Sequence, residues 1–196
     1  MSEEMIIYEH PAEEALRRLK KGNAAYVEKR RSTVISDRSV LLRAISDGQK
    51  PEAIIVSCSD SRVIPEALFD AAIGDLFVIR VAGNVIDDHQ LGSIEYAAEH
   101  LGTGLVVVLG HNHCGAVDAA LYHHTEGYIQ YIVQDIVEAI GDETDEFKAC
   151  CLNVQHSCAR IEQSLQIQKD EREYGLRVVG AIYNMETGEV EFLEEE

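Results

Sequence analysis

The stretch "VVVLGHNHCGAV" (residues 106–117) decides how the chain is read. Its first half is an uninterrupted apolar run rich in β-branched residues, the composition of a strand buried on both faces. At Gly110 the run stops. His111, His113 and Cys114 then fall within four positions, and after Gly115 a helical pattern begins in "AVDAALYHH" (116–124). A buried strand that turns and re-enters as a helix is the building unit of a parallel α/β sheet. The turn lies at the carboxyl edge of that sheet, where α/β folds collect their sites.

Working outward, "AIIVS" (53–57) and "LFVIR" (76–80) have the same strand character. Helical spacing appears in "LGSIEYAAEHL" (91–101), "YIQYIVQDIVEAI" (128–140) and "EFKACCLNVQHSCARIEQSLQI" (146–167), the last reading as one long helix. The chain closes with "LRVVGAIYN" (176–184) and "EVEFL" (189–193), a strand pair joined through "METG". Near the start, residues 12–31 are helical, with Ala15, Leu16, Leu19 and Tyr26 on one stripe and Gly22-Asn23 as a candidate break. "SDRSVLLRAISDG" (36–48) predicts a second helix with Ser36 or Asp37 as N-cap and Gly48 as stop signal. The predicted fold is therefore α/β, a mostly parallel central sheet with helices on both faces. One domain is expected over residues 1–196: a helical arm at 1–48, an α/β core at 49–193 and an acidic tail at 194–196.

Composition narrows the function classes. With 196 residues, 46% of them hydrophobic, the chain can bury a substantial core. No apolar run approaches the roughly 18–20 residues of a membrane helix. The opening "MSEEMIIYEH" is acidic where a secretory leader is basic, so a cytoplasmic location is expected. Five cysteines, an odd number, fit metal binding or free thiols better than a disulfide framework. Seventeen basic against thirty-five acidic residues give a net charge of −18, which argues against nucleic acid or an anionic membrane as partner.

The turn after "AIIVS" reads "CSDSR" and supplies Cys58, Asp60 and Arg62. If its strand neighbours the one ending at Leu109, these residues meet His111 and Cys114. Two thiolates and one imidazole are a preferred zinc set, and three protein ligands leave a fourth position open for catalysis. Of the two histidines, His111 shares a side of the turn with Cys114 at i, i+3, whereas His113 points elsewhere. The positive end of the following helix favours a thiolate at Cys114. Zinc with two thiolates is neutral and acidifies water less than a three-imidazole site, so a neighbouring carboxylate matters. Asp60 fills that role, and a bidentate Arg62 keeps it ionised and off the metal. The cluster "CCLNVQHSC" (150–158) reads as core packing, His123 and His124 as a solvated helix end, and His10, His89, His100 and His156 carry no supporting pattern.

At these residues the sequence resembles the β-class carbonic anhydrases. The family's Cys-x-Asp-x-Arg followed by His-x-x-Cys stands here as "CSDSRV" and "GHNHCGAV", and "GDLFVIRVAGN", "GSIEYAAEHLG" and "LRVVGAIYNMETGEV" also resemble family segments. The likeness covers roughly residues 12–193. It implies a Rossmann-like three-layer fold with an N-terminal helical arm wrapped over a neighbouring copy. It also implies zinc held by Cys58, His111 and Cys114, and the Asp60–Arg62 dyad beside a metal-bound water; Asp60 becomes a ligand only if the site closes. Gln49, Phe77 and Tyr96 fall at the family's substrate-contacting positions, the aromatics often lying across a dimer interface, and Gly115 offers a backbone amide. The implied reaction is reversible hydration of carbon dioxide to bicarbonate and a proton through zinc-bound hydroxide, in a homodimer or dimer-based higher oligomer. Two alternatives remain at this level: a carbonyl sulfide or carbon disulfide hydrolase on the same site, and a non-catalytic zinc- or bicarbonate-binding protein. There are departures. Asn112 stands where serine is usual, Val81-Ala82-Gly83 varies a common turn, and Ile55 replaces a tryptophan that some bacterial members use for bicarbonate inhibition.

Overall fold

The computed structural model describes residues 11–29, 38–124 and 126–193. Five strands form one sheet: β1 (Ala53–Ser57), β2 (Leu76–Arg80), β3 (Leu105–His111), β4 (Arg177–Tyr183) and β5 (Val190–Phe192), in the order β2-β1-β3-β4-β5. The first four are mutually parallel, and only β5 runs antiparallel, against β4. The three long apolar runs and the closing strand pair are thus where the sequence predicts them. β1 and β3 are buried at every position because the sheet is covered on both sides.

The two faces are dressed differently. Ile54, Val56, Val106 and Val108 pack under α4 (Asp88–Leu101), α5 (Gly115–Leu121), α6 (Ile129–Ile140), α7 (Glu146–Glu162) and α8 (Leu165–Tyr174). Ile55, Val107 and Leu109 pack under α1 (Ala12–Lys29) and the short α3 (Pro65–Leu68), with Ala15, Leu16, Leu19 and Leu68 facing them. The result is three layers, helix–sheet–helix. α1 is therefore docked on its own sheet, whereas α2 (Arg38–Asp47) buries no residue and leaves Leu41, Leu42 and Ile45 exposed.

Local chemistry explains several boundaries. Asp87 caps α4 by accepting from the backbone of His89 and Gln90, while the Gln90 side chain accepts from the Asp87 amide; Gly102 closes the helix in the left-handed region. Gly48, expected to end α2, has φ +80° just beyond it. The expected N-cap at Ser36 or Asp37, the last residues of the 12–31 helix and the acidic tail lie outside the described residues.

Three local expectations are corrected. Gly22-Asn23 does not break α1; a Cβ at Gly22 would sit 1.8 Å from the Phe69 carbonyl oxygen, so the glycine lets the helix touch that backbone. Asn23, buried, donates to the carbonyls of Leu68 and Gly188 and accepts from the Val190 amide. The long 146–167 helix is two helices, because the Ser164 hydroxyl accepts from the amides of Gln166 and Ile167 and starts α8 afresh. The helix expected to reach His124 ends at Leu121, with His123 at φ +54°.

Candidate metal centre

The strand order sets the place. From β1 the chain crosses to β2 on one side and returns to β3 on the other, so the sheet's direction of growth reverses between β1 and β3. A crevice opens beyond the carboxyl ends of two such strands. Ser57 of β1 pairs with Leu109 of β3, so Cys58 and His111 leave neighbouring strands at the same edge.

Cys58, His111 and Cys114 converge there. Their ligand atoms lie within 4.8 Å of one another, and all three residues are buried. His111 is held by a 2.8 Å contact between its Nδ1 and the Asn112 carbonyl, which makes Nδ1 the protonated nitrogen and leaves the Nε2 lone pair bare. Nε2 is buried and has no hydrogen-bond partner. An unmatched buried acceptor costs about 1–3 kcal/mol, a cost that coordination removes. That orphaned nitrogen and two adjacent sulfurs fit zinc.

The sulfurs are not equivalent. The Cys114 thiol beside Cys58, with the Gly83 amide at 3.3 Å from the sulfur, holds Cys58 well below the ordinary thiol value. Cys114 is raised by its proximity to Cys58 and by burial, although the Ala116 and Val117 amides at the start of α5 pull it down. Cys58 is therefore the sulfur its neighbours hold low, while at Cys114 the helix-end amides act in the expected direction but are outweighed by Cys58 and burial. Val81-Ala82-Gly83 thus has a defined role: Gly83, at φ +70° in a 3₁₀ turn (Ala82–Asn84), aims its N–H at the sulfur, and Asn153 from α7 holds the Gly83 carbonyl at 2.7 Å.

Asp60 stands beside this group without joining it. Its Oδ1 accepts from the Arg62 amide (2.9 Å) and Nε (3.0 Å), and its Oδ2 from Arg62 Nη2 (2.8 Å). The Arg62 guanidinium holds the carboxyl far below the usual carboxylate range. Arg80, which sequence reasoning left unassigned, pins the same turn by donating to the carbonyls of Cys58 (3.2 Å) and Asp60 (2.6 Å). Its place at the end of β2, beside β1, was the available signal. His113 does point away, with Nε2 2.6 Å from Glu186 Oε1 and Nδ1 3.5 Å from Glu146 Oε2. Glu186 is a second residue that sequence reasoning missed.

The expected substrate-contacting residues divide. Gly115 opens α5 directly after Cys114, exposed and with open space where a side chain would be. Phe77 and Tyr96 meet each other, ring centres 6.3 Å apart, but Phe77 pairs with Ile54 at the start of the strands rather than near Ser57. Gln49 is exposed and precedes β1, so a five-residue strand, about 16 Å at ~3.3 Å per residue, separates it from Cys58. Within one chain these three do not reach the metal centre. The second cysteine cluster is core, as predicted: Cys150 is buried and Cys158 packs against the α-helical face of the sheet.

Residues 53–190 match the family model described as carbonic anhydrase. Over 189 residues the chain is 39% identical to carbonic anhydrase 2 of Mycobacterium tuberculosis, covering 89% of each chain. It is 40% identical over 197 residues to a carbonic anhydrase of Mycolicibacterium smegmatis, covering 90% of this chain and 91% of that one. Among solved structures, a Coccomyxa β-carbonic anhydrase in complex with acetazolamide superimposes with a TM-score of 0.71 at 29% identity, covering 91% of this chain and 86% of the other. A tetrameric β-carbonic anhydrase of Sordaria macrospora does so with a TM-score of 0.71 at 26% identity, covering 80% and 87%.

Proposed function

The chain belongs to the β-class carbonic anhydrases, and from that premise we propose that it binds one zinc ion through Cys58, His111 and Cys114 and reversibly hydrates carbon dioxide to bicarbonate and a proton. The observation that carries the reading is the buried, unpartnered His111 Nε2 facing two adjacent sulfurs. Zinc, when bound, would supply a Lewis acid that makes water a usable nucleophile at neutral pH. The chain's residues do the remainder. Asp60, kept ionised by Arg62, would accept a hydrogen bond from the attacking water and orient it, the proton itself leaving to buffer because a carboxyl held so low is a poor base. Because both its oxygens are engaged by Arg62, Asp60 is held apart from the Cys58–His111–Cys114 group that would hold the zinc. Gly115 offers its amide to bicarbonate.

The working unit is proposed to be a homodimer or a dimer-based assembly located in the cytoplasm. Two features support assembly. The edge strand β2 is half-exposed along its length, and α2 presents Leu41, Leu42 and Ile45 to solvent. Gln49, Phe77 and Tyr96 stand too far from their own chain's cysteines to contact substrate there, so in this reading they serve the site of a second copy. The N-terminal arm would then act chiefly through α2, since α1 is committed to its own sheet.

Stopped-flow measurement of carbon dioxide hydration from pH 6 to 9, beside turnover of carbonyl sulfide and carbon disulfide, tests the proposal. Carbon dioxide should be the preferred substrate by orders of magnitude. A preference for either sulfur compound, or no turnover by zinc-saturated protein, would refute it.

A further inference from the structure

We propose that Glu186, on the turn between β4 and β5, is a positioning residue for the Asp60–Arg62 pair. The inference rests on the metal-centre reading above and extends it to a residue outside the motif. Glu186 grips two consecutive residues of the ligand turn: Oε2 accepts from Asn112 Nδ2 at 2.5 Å, and Oε1 lies 2.6 Å from His113 Nε2. Asn112 answers by accepting from the Met185 amide at 3.0 Å and donating its own amide to the Tyr183 carbonyl at 3.2 Å. The turn between β4 and β5 is itself rigid, because Asn184 Oδ1 accepts from the amides of Glu186 and Thr187.

What this grip fixes is a strained carbonyl. His113 has φ +55°, a left-handed conformation that a non-glycine residue keeps only when its surroundings hold it. Its carbonyl accepts from Arg62 Nη2 at 3.0 Å, and the same nitrogen reaches Asp60 Oδ2. The Arg62 side chain is more than half exposed, so packing does not hold it. The His113 carbonyl is what fixes the guanidinium beyond Asp60 itself. Glu186 therefore acts through Asn112 and His113 to keep Arg62 over Asp60, and so keeps the carboxylate away from the Cys58–His111–Cys114 group. Asn112, the departure from serine, is the other half of this grip, its Oδ1 accepting from the Met185 amide while its Nδ2 donates to Glu186 Oε2.

The test uses the full-length zinc-loaded protein and the variants Glu186→Ala, Asn112→Ala and both together. Exchange of the Arg62 Nε–H is followed by nitrogen-edited NMR, and coordination is followed from the absorption spectrum after cobalt(II) replaces zinc. Each single variant should speed the exchange about tenfold and shift the cobalt bands as a carboxylate oxygen joins the metal. The double variant should do no more than either single one, as expected of residues acting as one unit. Unchanged Arg62 exchange and cobalt spectrum in Glu186→Ala, with only the melting temperature lowered, would overturn the inference, as would additive effects. Neither readout depends on turnover, so an inactive but metal-loaded wild type would refute the functional reading while this result stood.

Discussion

His111 shows how much of the centre is decided by single atoms. One ring nitrogen is spent on the Asn112 carbonyl, and the other is left buried and bare. Cys58 is matched by the Gly83 amide, and Asp60 by a two-pronged guanidinium. These residues fail differently when changed. Cys58→Ser removes a sulfur donor and should abolish zinc retention through gel filtration, read by elemental analysis; full occupancy would count against the ligand assignment. Asp60→Ala should keep one zinc per chain and lose about 10² in hydration rate, the order expected when the attacking water loses the group that orients it. A rate within twofold of wild type would remove Asp60 from the chemistry. The convergence of Cys58, His111 and Cys114 and the Asp60–Arg62 pair were legible in the sequence because each residue sits at a fixed offset from a strand end. Glu186 was not, since its partners lie more than seventy positions away and nothing near it signals a site.

At the scale of elements, the strands were legible and the helix boundaries less so. A strand buried on both faces has to be apolar throughout, which makes "AIIVS" and "LVVVL" plain. Ser164 and Gly22-Asn23 are ambiguous for a physical reason: a serine inside an apolar pattern serves either as a cap or as an ordinary helix residue, a glycine inside a helix either as a break or as a contact, and only tertiary structure says which. The contact at Asn23 is testable. Asn23→Ala leaves the Leu68 and Gly188 carbonyls and the Val190 amide without their partner; only the bond to Leu68 is fully buried, so stability should fall by about 1–3 kcal/mol, the cost of one unmatched buried group. Gly22→Ala should be comparably damaging, because its new methyl group meets backbone rather than a yielding side chain. Urea denaturation checks both, and a loss below 0.5 kcal/mol, well under the ~1 kcal/mol floor for one unmatched group, would refute the latch.

Another element-scale prediction concerns α8. Asp170 is fully buried, with Gln166 donating to its Oδ1 and its Oδ2 unpartnered. Burial raises its carboxyl, so the folded chain holds that proton to higher pH than the unfolded chain does. Ionisation above the folded value therefore costs stability, and the cost fades as pH falls towards about 4, the unfolded-chain value. Asp170→Asn should raise the melting temperature at pH 7 and lose that advantage by pH 4. An equal or greater gain at pH 4 would show that the sign is wrong.

On the scale of the whole molecule, a net charge of −18 surrounds an apolar strip on α2 and a half-exposed edge strand. Such a surface repels anionic partners, and the proposed assembly would place a second copy on the apolar strip. Leu42→Glu with Ile45→Glu should shift sedimentation towards the monomer without loss of helix content; an unchanged sedimentation coefficient would mean that the copies meet elsewhere. The parallel sheet and its switch point could be foreseen from alternating strand and helix patterns, whereas a place for Phe77 and Tyr96 away from their own chain's cysteines was implied only by the family resemblance. Sequence spacing carries no information about which end of a sheet a residue faces across an interface. The central claim is that one metal ion, gathered by residues 58, 111 and 114, makes this chain hydrate carbon dioxide. Titrating zinc into metal-free protein while following the hydration rate tests it most directly. The rate should climb linearly and break at one equivalent per chain; activity that ignores added zinc, or one bound equivalent that brings no activity, would contradict the account.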